Sequence, residues 1–295
     1  MKHITVLLEE AIDALALSKN ATVVDATLGA GGHARHILKQ LGAKGTFIGF
    51  DADSTALSEL HDLKKSKSTV HLVHSNFAHI QSELLKLNIE HVDAILADLG
   101  WRTDQFTDGG KGFSFTSDDS LYMTYGAPDT YSFTAGDIVN DWKEEDIANV
   151  LYGYGEERYS RPIAKAIVAY RKNKKIMTAA ELAEIIFTSV PVSYRHGRIH
   201  PATKSFQGLR IAVNDEFTVL EQFIAGAWQC LAPQGRLAII SFHSLEDRIV
   251  KHTFKNYVQA AAGVLITKKP IVASREELVA NPRSRSAKLR IIQKI

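Results

Sequence analysis

The segment Val23-Val-Asp-Ala-Thr-Leu-Gly-Ala-Gly-Gly-His33 constrains the fold more than any other part of the chain. It runs an apolar strand into a glycine-rich turn and then into a helix from His33 to Leu41. Gly29, Gly31 and Ala34 meet the relaxed G-x-G-x-x-G/A spacing, in which small residues permit a tight turn, close approach to a ligand and close helix–strand packing. The first turn of that helix would aim unpaired N–H groups at an anionic group placed there. A second apolar run, Gly45-Thr-Phe-Ile-Gly-Phe50, ends at Asp51, where a carboxylate would accept hydrogen bonds from ribose hydroxyls. The pattern is that of a nucleotide-type cofactor site.

Strand and helix signals alternate through the first hundred residues, which predicts an α/β fold with a parallel-dominated sheet wrapped by helices. The predicted strands are Ala21–Asp25, Gly45–Phe50, Val70–His74 and Val92–Leu96, with helices near His33–Leu41, Ser54–Lys64 and Ala78–Leu87. Asp98-Leu-Gly100 then falls at the carboxyl edge of the sheet, the edge at which open α/β sheets bind ligands. From Trp101 to Gly126 the periodicity dissolves, predicting a long ordered loop. Helical patterns follow without strands: Ala135–Asn140, Glu144–Leu151, Arg158–Lys172 and Thr178–Ser189, the last opened by Thr178 with Glu181 three residues on, a capping box. A helix Asp215–Leu231 and a strand Gly235–Ser241 resume the first pattern. The expected division is therefore a sheet domain in two parts, 1–110 and 210–295, interrupted by a loop and all-helical substrate-binding insertion at 111–209.

The single cysteine, Cys230, excludes an internal disulfide and a multi-cysteine zinc site. No apolar run reaches the roughly 18 residues of a membrane span, so a cytoplasmic protein is the expectation. The net charge of +2 is small but uneven. Arg171, Lys172, Lys174 and Lys175 form one basic cluster, and Arg195, His196, Arg198, His200 and Lys204 another. Lys268, Lys269, Arg283, Arg285, Lys288 and Arg290 lie toward the C-terminus. Each cluster reads either as solvated surface or as a local patch for polyanion phosphates.

Two cofactors suit the glycine loop. A dehydrogenase would place the pyrophosphate of NAD there, and a methyltransferase would place S-adenosylmethionine. Asp25 before the loop and Asp98 after the fourth strand put negative charge where the sulfonium cofactor carries positive charge, which favours the second. Phe77 packs either on an adenine or into the core. Ser241, His243, Ser244 and Asp247 hold the residue types of a hydrolase triad but are sequence neighbours, whereas a triad converges from separate elements. His243 and Glu246 read better as lining the sheet edge near substrate. His71 with His74, and His196 with His200, lack a third ligand at a recognised spacing, so no metal is expected.

Ordered motifs across nearly the whole chain resemble one family. They are His3-Ile-Thr-Val-Leu-Leu-Glu-Glu10, Asp25–His33, Asp98-Leu-Gly100 with Gln105, Gly112-Phe-Ser-Phe115 and Tyr154-Gly-Glu-Glu-Arg158. They continue with His200–Gln207, Leu209–Glu216, Ser241–Arg248 and Asn281–Arg290. The chain resembles the RsmH (MraW) family, S-adenosylmethionine-dependent methyltransferases of the N4 amine of a cytosine in the decoding region of bacterial 16S ribosomal RNA. The resemblance implies a Rossmann-like class I methyltransferase domain with an inserted helical domain. It places Gly31, Gly32, His33, Asp51, Phe77, Asp98 and Gln105 at cofactor-contacting positions, and it implies 16S rRNA in the small ribosomal subunit or its precursor as partner.

A cytosine N4 amine is a weak nucleophile because its lone pair is delocalised into the ring, so an acceptor must draw on an N4 hydrogen during transfer. Asp98 is the candidate, with backbone carbonyls of the following residues as competitors and cofactor binding as its other role. The base must be splayed from the RNA, so an aromatic platform is expected, and Trp101 either supplies it or blocks the pocket. His243, Arg283, Arg285 and Lys288 complete the RNA candidates. The family pattern D-L-G-V-S-S-x-Q-L-D reads Asp98-Leu-Gly-Trp-Arg-Thr-Asp-Gln-Phe-Thr107 here, and E-R-G-F-S-F reads Gly110-Lys-Gly-Phe-Ser-Phe115. D-G-P-L-D-M-R-M-D becomes Asp118-Asp-Ser-Leu-Tyr-Met-Thr-Tyr-Gly126, losing an arginine and two aspartates. Two other functions fit these departures or the loop alone: a noncatalytic RNA- or ribosome-binding protein on the same fold, and an NAD-dependent oxidoreductase.

Overall fold

In a computed structural model of the chain, residues 4–99 and 110–295 are described. The chain divides into two compact units, Met1–Gly100 with Phe217–Ile295, and Trp101–Glu216.

The first unit is built on a seven-stranded sheet of order β3-β2-β1-β4-β5-β7-β6. Its strands are β1 (Thr22–Asp25), β2 (Thr46–Asp51), β3 (Thr69–His74), β4 (Val92–Asp98), β5 (Leu231–Ser241), β6 (Gly263–Leu265) and β7 (Lys288–Lys294). The first five pair in parallel, and β7 runs antiparallel to β5 and to β6. Val23, Val24, Phe47, Ile48, Ile95 and Leu96 are fully buried, as expected of central strands covered on both faces. Each such side chain stabilises the fold by about 1.5–3 kcal/mol relative to exposure. Strand order reverses at β1, whose neighbours are β2 and β4. That reversal opens a crevice at the carboxyl ends of these strands.

The helices of this unit are α1 (Leu8–Leu15), α2 (Gly32–Gln40), α3 (Ser54–Glu59), α4 (Ile80–Lys86) and, after the second unit, the body of α11 (Glu216–Cys230), then α12 (Ser244–Gln259) and α13 (Arg275–Ala280). The expected helix Ser54–Lys64 stops at Glu59 and continues as a 3₁₀ turn, His61–Lys65. The expected strand Gly235–Ser241 begins earlier, at Leu231, because its first residues pair irregularly: Val92 sits opposite Leu231 but Ala94 opposite Arg236, with Gln234 at φ 65°.

The second unit holds α5 (Ala135–Asp141), α6 (Glu144–Gly153), α7 (Ser160–Arg171), α8 (Ala179–Ser189), the single turn α9 (Val192–Arg195) and α10 (Ala202–Asn214). Its core gathers Ile138, Ile147, Leu151, Ile163, Ile167, Leu182, Ile186 and Leu209. Thr178 and Glu181 form the expected capping box at the start of α8, and Thr134 with Asp137 form another at α5. Each is worth about 1 kcal/mol. α10 runs to Asn214, so the expected boundary at 209/210 would have cut through a helix, whereas the units part after Glu216.

Among the described residues, the segment 110–126 makes one isolated bridge, between Ser120 and Thr178. The segment is nevertheless fixed by side chains. Lys111 Nζ donates to the carbonyls of Tyr125 and Gly126 at 2.8 and 3.1 Å. Asn214 donates to Met123 O at 2.7 Å and accepts from Tyr125 N at 3.0 Å. A Cβ on Gly112, at φ 75°, would fall 2.4 Å from Ser120 O, so only glycine fits there. No helix of the described residues is long and apolar enough to cross a membrane.

Candidate active site

Three adjacent strands end in aspartates at the switch point: Asp25 on β1, Asp51 on β2 and Asp98 on β4. Their surroundings set them apart. Asp51 is tied down by backbone donors, with Oδ2 accepting from Gly29 N at 2.8 Å and Oδ1 from Asp53 N at 2.9 Å. The acidic residue thus fixes the glycine turn as well as facing the crevice. Asp98 is held at its backbone, where its N–H donates to Thr27 Oγ1 at 2.6 Å, a residue the sequence reading did not single out.

Asp25 is buried, and among the described residues its Oδ1 is served by Thr27 N at 3.2 Å while Oδ2 has no hydrogen-bond partner. Burial pushes its carboxyl up to about 7, with Asp98 and Asp51 adding to the rise and the Thr27 N–H opposing it. An orphaned buried carboxylate oxygen costs stability unless a ligand answers it.

The turn after β1 brings backbone into the crevice. Gly29 and Gly31 have φ of 51° and 75°, and a Cβ on Gly31 would sit 2.8 Å from Leu60 Cδ2. Gly32 opens α2, and a Cβ there would lie 1.8 Å from Thr5 Oγ1. His33, buried in the first turn of α2, approaches Val6 O with Nε2 at 3.1 Å and Asp98 Oδ2 with Nδ1 at 3.9 Å. A carbonyl only accepts, so Nε2 carries the hydrogen of that bond. Phe77, after β3, is half-buried and packs edge-on against Phe223, with centroids 5.0 Å apart.

Farther along the edge, His243 caps α12, its Nδ1 accepting from Glu246 N at 3.4 Å. Its Nε2 lies 3.1 Å from Glu246 Oε1 but outside hydrogen-bonding geometry. Glu246 itself accepts from the backbone of Phe242 and His243, so this acid shapes the loop after β5.

The basic candidates separate. Lys288 lies on β7 opposite Ser241, and its Nζ reaches Asp247 Oδ2 at 3.1 Å beside Arg290 Nε at 2.6 Å from Oδ1. Burial raises the Asp247 carboxyl, and Arg290 and Lys288 outweigh that, holding it below the usual carboxylate range. Arg283 and Arg285 are exposed on the 3₁₀ turn Pro282–Ser286. In the helical unit Arg171 caps carbonyls of Val139 and Trp142, Lys174 pairs with Glu181, and Arg195 caps Thr188 and Val190. Those cations hold helix ends together. Arg158, by contrast, is exposed with its guanidinium carbon 4.8 Å from the centroids of both Tyr159 and Tyr194, and His200 stacks on Phe115 at 4.5 Å. Trp101 and Gln105 lie outside the described residues.

A glycine cradle beside an unanswered buried carboxylate fits a ligand with a polar, cationic centre, as S-adenosylmethionine has in its ammonium and sulfonium. Sheet order, antiparallel β7 and this edge define a Rossmann-like, S-adenosylmethionine-dependent methyltransferase. The chain matches the MraW methylase family over residues 1–295 and belongs to it. It is 42% identical to the ribosomal RNA small subunit methyltransferase H of Paenibacillus sp. (strain JDR-2), covering 100% of this chain and 99% of that one. The proteins of the same name from Koribacter versatilis (strain Ellin345) and Clostridioides difficile (strain 630) are 44% and 40% identical, over 98% and 99% of this chain and 92% and 99% of theirs.

Proposed function

We propose that this methyltransferase acts in the cytoplasm on 16S ribosomal RNA, in the small subunit or its precursor, and methylates the N4 amine of a cytosine in the decoding region. The observation that carries the reading is the Asp98 carboxylate at the end of β4, held by Thr27 through its backbone and beside the glycine turn. That the relatives are ribosomal RNA small subunit methyltransferases supports the RNA class.

Gly31, Gly32, His33, Asp51, Phe77, Asp98 and Gln105 would hold the cofactor, with the orphaned Asp25 oxygen facing its positive charge. Bound S-adenosylmethionine supplies an electrophilic methyl group and leaves as S-adenosylhomocysteine. Asp98 would accept a hydrogen bond from the amine, raising electron density on nitrogen, and take up the proton the amine sheds. The helical unit, a separate domain on this reading, would bind RNA through the exposed Arg158 with its two tyrosines, His196, Arg198 and His200, the two arginines for phosphates and the rings for splayed bases. Arg283 and Arg285 would add phosphate contacts.

The test is transfer of labelled methyl to small subunits that lack the modification, followed by nucleoside mass spectrometry of the 16S rRNA. Label in N4-methylcytidine with the wild-type chain, lost with Asp98→Ala, supports the reading; label in another nucleoside, or none, sinks it.

A further inference from the structure

The motifs His3–Glu10 and Asn281–Arg290 lie at opposite ends of the chain. The fold joins them. Leu7 is held at φ 49° and ψ 41°, a left-handed conformation unfavourable for a residue with a side chain. Such a residue persists only where its surroundings fix it. Here Glu277 Oε1 accepts the Leu7 N–H at 2.8 Å across 270 residues, and the Leu7 side chain is fully buried. Asn281 Nδ2 donates to Ile4 O at 3.1 Å across 277 residues.

Both anchors are themselves rigid. Asn281 is buried, its N–H donates to Glu277 O, and its carbonyl accepts from the buried Ser284 hydroxyl at 2.8 Å. The Glu277 N–H is taken by Ser274 Oγ at 3.1 Å. The strap Ile4–Leu7 is thus pinned at both ends by the segment 274–284.

Its middle faces the glycine turn. Val6 O accepts from His33 Nε2, and Thr5 Oγ1 occupies the space a side chain on Gly32 would need. The left-handed turn at Leu7 lets the strap lie along Gly32–His33 before α1 departs at Leu8.

We propose that Glu277 and Asn281 are positioning residues for the cofactor: they clamp the strap Ile4–Leu7, and the strap sets the His33 ring and the Gly31–Gly32 backbone. This rests on the reading above that Gly31, Gly32 and His33 hold S-adenosylmethionine. Among the described residues neither anchor hydrogen-bonds to the glycine turn; both act through Leu7 and Ile4.

The test compares S-adenosylhomocysteine binding by calorimetry, thermal melting, and the imidazole ¹⁵N resonances of His33 in the full chain. Glu277→Ala removes the acceptor and raises Kd about tenfold, and Glu277→Gln, which keeps an acceptor oxygen, restores it to within about threefold. Asn281→Ala removes only the donor to Ile4, raises Kd about threefold, and carries the test should Glu277→Ala fail to fold. Both alanine variants shift the His33 resonances. Folded alanine variants with wild-type affinity and unshifted His33 resonances, beside a weakened His33→Ala, overturn the clamp and leave the site reading standing. Unchanged affinity in His33→Ala as well overturns the site reading and the clamp with it.

Discussion

Asp25 accepts the Thr27 backbone N–H through one oxygen at 3.2 Å and keeps the other buried with no partner among the described residues, between strand ends that also carry Asp51 and Asp98. The folded chain therefore holds a proton on Asp25 up to about pH 7, whereas the unfolded chain releases it near pH 4. Between those values the folded state binds the extra proton, so this group makes stability fall as pH rises through the window and level off above it. Asp25→Asn removes the ionisation. The variant should melt about 3 °C or more above wild type at pH 8 and match it near pH 4 in thermal scans; an equal pH dependence in both would refute the burial argument.

On the proposed reading of the site, the same carboxyl couples to the cofactor. A cation placed beside Asp25 favours its ionised form, so cofactor binding expels a proton below pH 7 and affinity strengthens from pH 6 to pH 8. Calorimetry in buffers of different ionisation heat reads that proton directly. Asp25→Asn should abolish both the proton release and the pH dependence of Kd.

Much of this site follows from local sequence pattern. β1, the glycine turn and α2 stand close to where the Val23–His33 pattern puts them, because buried parallel strands and glycine turns are specified by near neighbours. The Thr178 cap was legible for the same reason. What was not legible depends on distant partners. β7 hides in a basic stretch, where Lys288 and Arg290 suggest phosphate contacts until β5 and α12 bring Asp247 to them. α10 was obscured by a basic cluster spread across a loop and a helix. The left-handed Leu7 has no local signal at all, since its stabilising acceptor is Glu277.

The Asp247 triad predicts an acid-sensitive joint. Its carboxyl is held below the usual range, so its contribution is present above about pH 4 and is lost as pH falls through the depressed value. Arg290 is largely buried, so Asp247→Asn leaves a cation without its counter-charge and should cost about 3 kcal/mol in denaturant titrations at pH 7. Lys288→Ala, removing the more exposed partner, should cost well under half of that. Equal losses would refute this division of labour.

RNA affinity should separate the same basic stretch. Arg283 and Arg285 are exposed, and replacing either with alanine should lower the slope of log K against log salt for small-subunit binding by about 1. Lys288→Ala should change the slope by much less, because its ammonium is engaged by Asp247 at 3.1 Å. Filter binding across a salt series distinguishes the three variants, and an equal loss of slope in Lys288→Ala would return that residue to the RNA surface.

Gly32 offers a case in which two opposing effects can be ranked. Replacing a helical glycine with alanine favours the helix by at most about 1 kcal/mol. Here the new Cβ would lie 1.8 Å from Thr5 Oγ1 and 2.9 Å from Thr5 Cβ, so rotating the threonine hydroxyl away does not clear it and the chain must move. Overpacking of that kind costs about 1–3 kcal/mol, which outweighs the helical gain. Gly32→Ala should therefore lower the melting temperature and weaken S-adenosylhomocysteine binding about tenfold or more, by the same energies. Thr5→Ala removes the closest atom while leaving Val6 O on His33, so alone it should be near neutral, and combined with Gly32→Ala it should restore part of the affinity. A double-mutant cycle by calorimetry measures that coupling. Strict additivity would show that Thr5 does not face the glycine turn in solution.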